Sequence, residues 1–290
     1  MIKLVAVDMD GTLLTEDKQI TPASREAIRR LQEAGGEFVI CSGRDYKSAS
    51  SLVKAAGLTC GYICDSGAMV HEPDGTVVEE CPMEPEGLKR VLHHMEQGGV
   101  IAQMRTADGV YVTGTMEEAA KYFREELPLI LSDGKWTQEA AAICEELFAK
   151  IRCVGDLDRF VEEGPPVYKL FGSILDVERL WKVKDACRQV EGLAVASSYL
   201  TNIEITHIHA QKGPALRRYA RRRGIPDSQV MAIGDSENDS SMLSMDFGYT
   251  VAMANGEEEI KQMARYLTAS NQEDGVALAI RRLVFGEESC

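Results

Sequence analysis

Leu4-Val5-Ala6-Val7-Asp8-Met9-Asp10-Gly11-Thr12 opens the chain with a short apolar run that passes directly into a polar loop. A run that is apolar at every position, with no alternation, suits a strand covered on both faces. Such strands belong to parallel sheets, and the polar residues that follow lie beyond a carboxyl end, where open α/β sheets bind ligands. Thr21-Pro22 then starts a helix, with threonine as N-cap and proline at the first helical position. Ala23, Ala27, Ile28, Leu31 and Ala34 form its apolar stripe, and Gly35-Gly36 ends it. Phe38-Val39-Ile40-Cys41 reads as a second strand, broken at Ser42-Gly43. A helix over residues 45–56 and a third strand, Tyr62-Ile63-Cys64, follow. This alternation predicts an α/β fold built on a doubly wound parallel sheet.

The rhythm then changes. Residues 68–78, with Pro73-Asp74-Gly75 at the centre, read as a hairpin. Beyond it lies an α/β mixture, with a helix over 86–97, strands over 100–104 and 110–113, and a late pair near Val195 and Ile203. Past Lys212 the first rhythm returns, as a helix over 214–223, the strand Met231-Ala232-Ile233, and a polar loop over 234–239. Strands near Val251 and Leu267 and a helix over 276–284 complete the pattern. The simplest organisation is a discontinuous sheet domain, 1–82 with 208–290, interrupted by a second α/β domain over 83–207.

The 290 residues carry 32 basic and 46 acidic side chains, a formal charge of −14. Charge does not separate the two parts, since 83–207 holds 14 basic and 21 acidic residues and the rest 18 and 25. Neither part has the basic footprint that nucleic acid or an anionic lipid surface calls for. No apolar run has the length of a membrane span, and the N-terminal apolar stretch is too short for a signal peptide. Eight cysteines, at 41, 60, 64, 81, 144, 153, 187 and 290, form no Cys-x-x-Cys pair and have apolar neighbours. They are expected to be reduced and partly buried, and the protein to be soluble and cytoplasmic.

Three polar clusters fall beyond strand ends: Asp8 with Asp10, Ser42 with Gly43, and Asp235 with Asn238 and Asp239. Four carboxylates crowded on one rim repel one another unless they bind protons or a cation neutralises them. Mg²⁺, which takes a few carboxylates together with substrate phosphate, fits that need best.

Asp8-Met9-Asp10-Gly11-Thr12-Leu13-Leu14, Ser42-Gly43-Arg44, Lys212-Gly213 and Gly234-Asp235-Ser236-Glu237-Asn238-Asp239 together resemble the four motifs of the haloacid dehalogenase-like phosphohydrolases. The likeness is to the Cof-type phosphatases, with a large α/β cap inserted in a Rossmann-like core. Ala252-Met253-Ala254-Asn255 and Asn271-Gln272-Glu273-Asp274-Gly275-Val276 match weaker patterns near the C-terminus. The resemblance implies a phosphatase acting on a small phosphorylated metabolite, a sugar phosphate first of all, with Mg²⁺ as cofactor. It implies Asp8 as nucleophile and Asp10 as general acid and base. Mg²⁺ would be held by Asp8, Asp10 through its main-chain oxygen, Asp235 and Asp239, the last through water. Met9 and Gly43 through their amides, and Ser42, Lys212 and Asn238 through their side chains, would hold the phosphate. The insert would close over the rim as a cap. A phosphomutase, or a non-catalytic phosphometabolite sensor, is the alternative on the same fold.

Three positions depart from the family pattern: Ser42 stands for threonine, Ser66 for asparagine and His209 for a common glycine. Other features have plainer readings. His207-x-His209 is the spacing of a strand end, and His93-His94 lies on a polar helix. Arg217, Arg218, Arg221, Arg222 and Arg223 are expected to form an exposed helix face, and Cys41, with no base beside it, to serve packing.

Overall fold

The opening apolar run forms β1 (Leu4–Val7), buried at every residue. A computed structural model describes residues 2–132 and 134–287 of the chain. After β1 come α1 (Pro22–Glu33), β2 (Glu37–Cys41), α2 (Tyr46–Ala55), β3 (Gly61–Cys64), β4 (Met69–His71) and β5 (Val77–Glu80). The helix starts are where the side chains dictate. The Thr21 hydroxyl accepts the Ser24 amide at 3.1 Å, and the Asp45 carboxylate accepts that of Ser48 at 2.8 Å. The predicted hairpin is β4 with β5, paired antiparallel.

The chain then enters a separate unit, Pro82–Ile208. Its elements are α3 (Pro85–Gln97), β6 (Gln103–Thr106), β7 (Gly109–Val112), α4 (Met116–Lys121), α5 (Leu127–Ile130) and α6 (Gln138–Phe148), then β8 (Ile151–Cys153), α7 (Leu157–Glu163), β9 (Lys169–Ser173), α8 (Val177–Arg188), β10 (Leu193–Ala196) and β11 (Asn202–His207). Six strands pair in the order β10-β11-β9-β6-β7-β8, antiparallel except for β7 with β8. Leu88, Val91 and Met95 of α3 pack with Leu180 and Val183 of α8 and with Ile203 and Ile205 of β11 in one core. The strand expected over 100–104 begins instead at Gln103. At Ala102 the Thr113 hydroxyl, at 2.9 Å, takes the amide that a ladder carbonyl would otherwise receive.

On its return the chain forms α9 (Lys212–Arg222), β12 (Val230–Gly234), α10 (Ser240–Leu243), β13 (Tyr249–Ala252), α11 (Glu258–Met263), β14 (Tyr266–Leu267) and α12 (Gly275–Phe285). With the first segment these make the other unit, Met1–Cys81 and His209–Cys290. Its sheet runs β14-β13-β12-β1-β2-β3-β4-β5, parallel from β14 to β3 and finished by the antiparallel hairpin. Leu4, Ala6, Val39 and Ile63 on one sheet face meet Ala215, Leu216 and Tyr219 of α9 and Met242 of α10. The α/β fold with a parallel, doubly wound sheet is as expected.

The arginine run is the expected exposed face at Arg221 and Arg222, but Arg217, Arg218 and Arg223 are half-buried, and four of the five are paired. Arg218 and Arg222 both hold Glu79, Arg223 holds Glu37 and Glu72, and Arg217 holds Asp227. Glu79 of β5 thus holds α9 itself, while Glu37 of β2 and Glu72 of the hairpin hold the residue just past its end. The cysteines at 41, 60, 64, 81, 144, 153 and 187 are free thiols, five of them buried; Cys290 lies outside the described residues. Among the described residues, no helix is long and apolar enough to cross a membrane.

Candidate active site

β12, β1 and β2 lie side by side and parallel, with Val7 aligned to Ile233 on one side and Ile40 on the other. Asp235, Asp8 and Ser42 therefore leave the sheet at neighbouring carboxyl ends. The turn after β1 is fixed by its own backbone, since Leu13 and Leu14 donate to the Asp8 and Met9 carbonyls. Gly11 takes φ +83° there, and a Cβ on it would lie 2.3 Å from an oxygen of Asp235. Glycine is needed both for that backbone and for that approach.

Lys212, the first residue of α9, reaches this rim from the other side of the chain. It has no exposed surface, and its ammonium donates to Asp8 Oδ1 at 2.6 Å, Asp239 Oδ1 at 2.7 Å and Asn238 Oδ1 at 2.9 Å. All three donors of the ammonium are thus satisfied. Burial disfavours its charge, but Asp239 and Asp8 outweigh that and raise its pKa. The other oxygen of Asp239 accepts the amides of Asp235, at 2.9 Å, and Ser236, at 3.2 Å. Thr12 donates to Asp235 Oδ1 at 2.6 Å.

Oxygens of Asp8, Asp235 and Asp239 lie within 4.8 Å of one another. One ammonium does not neutralise three carboxylates, and the electrostatics show it. Burial, together with the charges of Asp239 and Asp235, pushes Asp8 well above the carboxylate range despite Lys212. Burial and Asp239 raise Asp235 to about 7, against the opposing pull of Thr12 and Lys212. Carboxylates so crowded favour a cation among them, and an all-oxygen, acidic donor set suits a hard divalent ion. Among the described residues this is the only group of three or more His, Cys, Asp or Glu side chains so spaced.

Asp10 stands apart from that trio. Its carboxylate is gripped by the Arg44 guanidinium, Nε to Oδ2 at 2.6 Å and Nη2 to Oδ1 at 2.7 Å, and by Lys18 at 3.0 Å. Burial alone would raise this carboxyl, but Arg44 first and Lys18 second bring it down to about 2. As it sits, Asp10 is a carboxylate at any pH near neutrality.

The sequence-predicted Asp8, Asp235, Asn238, Asp239 and Lys212 therefore meet in one cluster, and Ser42 and Gly43 follow the adjacent strand. Ser42 is buried, and its hydroxyl accepts the Arg44 amide at 3.2 Å. Met9, also buried, follows Asp8 in the turn. Sequence reading assigned no role to Thr12, Arg44 or Lys18, although Thr12 and Arg44 belong to the motifs and their positions there were the available signal. Asn255 and Asn271 gain a purpose as well. Asn255 donates to the Gly11 carbonyl, Asn271 to that of Leu14, both at 2.8 Å, so the C-terminal loops brace the β1 turn.

The departures resolve separately. Ser66 is buried with φ 60°, the left-handed region in which asparagine is the more tolerant residue. His209 takes no positive φ, so its glycine-like position asks nothing special of the backbone. His207 is half-buried at the end of β11 and His209 is exposed; neither joins the acidic group. The Cys41 thiol is buried and pushed far up by that burial, as a packing residue is.

Comparison with known proteins agrees with this geometry. The model of the haloacid dehalogenase-like hydrolase family matches residues 5–280. Phosphatase YwpJ of Bacillus subtilis (strain 168) is 30% identical over 289 residues, covering 98% of this chain and 100% of that protein. The 5-amino-6-(5-phospho-D-ribitylamino)uracil phosphatase YwtE of the same strain is 29% identical over 293 residues, covering 99% of both chains. A solved haloacid dehalogenase-like hydrolase from B. subtilis superposes with a TM-score of 0.81 at 27% identity, over 97% of this chain and 100% of that one. The chain belongs to the haloacid dehalogenase-like hydrolases, and its enzyme class within them is that of a phosphatase.

Proposed function

We propose that this phosphatase is Mg²⁺-dependent and hydrolyses a small phosphorylated metabolite, a sugar phosphate or similar phosphomonoester, through an aspartyl-phosphate on Asp8. The observation that carries this reading is the Asp8–Asp235–Asp239 cluster around the buried Lys212. Asp8 and Asp235, with the Asp10 main-chain oxygen, would hold the ion. Asp239 would act through water, because Lys212 and two amides already occupy its oxygens. The bound ion would supply positive charge against the phosphoryl oxygens, which otherwise repel a carboxylate nucleophile.

The remaining chemistry belongs to side chains. Asp8 attacks phosphorus, the ester P–O bond breaks, and the leaving oxygen takes a proton from Asp10. Water then attacks the phosphoryl group, gives its proton to Asp10, and the bond to Asp8 breaks. Lys212 holds Asp8 in line and offers positive charge to the phosphoryl group, as Ser42, Asn238 and the Met9 and Gly43 amides offer hydrogen bonds. We assign choice among substrates to the inserted unit, acting as a cap. A substrate of metabolite size accords with the name of the relative YwtE.

The test is phosphate release from a panel of phosphorylated metabolites with Mg²⁺, with EDTA, and with Asp8→Asn. Turnover is expected only from wild type with Mg²⁺. Wild-type turnover by Asp8→Asn overturns the mechanism.

A further inference from the structure

Asp10 is held in an arrangement that its proposed role cannot use. Both of its oxygens accept from one guanidinium fork, so the carboxyl cannot turn toward a leaving group while that fork holds it. The fork is itself anchored, because Arg44 Nη1 donates to Ser48 Oγ at 3.0 Å on α2. The Asp10 backbone is also fixed, bridged to Leu14 and followed by Gly11 at φ +83°. What is left to move is the Asp10 side chain.

Lys18 supplies an independent sign. It takes φ 55°, a conformation a lysine adopts at a cost, inside a turn closed by Lys18 N to Thr15 O at 2.9 Å and Thr15 N to Gln19 O at 3.0 Å. That strained turn delivers its ammonium to Asp10 Oδ1.

We propose that Arg44, assisted by Lys18, is a latch on the Asp10 carboxylate, and that a phosphoester bound beside Ser42 frees Asp10 by competing for the two cations. Arg44 is here a positioning residue that acts through Asp10, and the proposal rests on Asp10 being the acid–base group. The latch withholds the proton shuttle until an anionic substrate has arrived, and part of the substrate's binding energy is used to open it.

The experiment compares kcat/KM for the best alkyl phosphate of the panel with that for p-nitrophenyl phosphate. The alkoxide must be protonated as it leaves, whereas the nitrophenolate leaves without help. In Arg44→Met the alkyl-to-aryl ratio is expected to rise about threefold or more, the scale of a half-exposed ion pair. Lys18→Met should move it the same way by less. Arg44→Lys keeps the charge without the fork and should fall between wild type and Arg44→Met; it also serves if Arg44→Met does not fold. Asp10→Asn should lower the ratio and cancel the effect of Arg44→Met. A ratio lowered by Asp10→Asn but unchanged or lowered by the Arg44 variants overturns the latch alone. A ratio that Asp10→Asn leaves unchanged overturns the acid–base assignment, and the latch with it.

Discussion

Lys212 sits at the residue scale where stability and chemistry meet. Its ammonium is buried among Asp8, Asn238 and Asp239, so its removal leaves carboxylates facing one another without a counter-charge. Breaking such a pair from one side costs about 3 kcal/mol or more. Lys212→Met should lower stability by that order in urea denaturation, and added Mg²⁺ should recover part of the loss. Asp8→Asn works in the opposite sense, since it removes a carboxylate whose charge burial already opposes. Its turnover should fall by at least about a thousandfold, the scale on which loss of a nucleophile acts. Its melting temperature without metal should not fall below that of wild type. Ser66 offers a third case, a left-handed residue where asparagine costs less. Ser66→Asn should raise stability by about 0.5 kcal/mol, read as a later urea midpoint at unchanged slope.

Elements are joined by charges that sequence periodicity does not register. Arg218 and Arg222, one turn apart on α9, each take one oxygen of Glu79 on β5. Glu79→Gln leaves two guanidinium groups without their shared anion, and should cost about 1 kcal/mol in a half-buried setting. An earlier thermal midpoint in low salt, with a smaller difference from wild type in high salt, is the expected reading. The fully apolar strands β1, β2 and β12 and the capped helix α1 were legible because each carries its signal locally, in an unbroken apolar run or a Thr-Pro start. The meeting of Asp8 and Asp235 was legible because parallel strands bring their carboxyl ends to one rim, whatever their distance in sequence, whereas Lys212, at the start of α9, was expected there only through the family resemblance. The grip of Arg44 on Asp10 was not, because a pairing across 34 positions leaves no periodic trace. The helices α4 to α6 were not resolved from the surrounding α/β mixture for another reason. Leu131, Ile143 and Leu147 are exposed there, so apolar residues do not mark a single buried stripe.

For the whole molecule, a charge of −14 opposes polyanions on average yet leaves room for a small anion, because the proposed cation, together with Lys212, would supply positive charge at the rim. All three clustered carboxylates belong to the unit 1–81 with 209–290, so the effect of Mg²⁺ on stability should be confined to that unit at first. A ligand at a hundred times its Kd adds about 2.7 kcal/mol to the state that binds it. The amides to follow are those that fix the rim. Leu13 and Leu14 donate to the β1 turn, and Asp235 and Ser236 donate to the Asp239 carboxylate. Their hydrogen exchange should slow by about a hundredfold when saturating Mg²⁺ replaces EDTA, provided that exchange proceeds through openings that release the ion. Both tryptophans, Trp136 and Trp181, lie in the inserted unit, so their fluorescence follows that unit alone and serves as an internal control. Mg²⁺ should leave the native emission unchanged while it protects the rim. Equal exchange at residues 13, 14, 235 and 236 with Mg²⁺ and with EDTA would mean that the acidic cluster does not hold the ion, and the metal-assisted mechanism would fall with it.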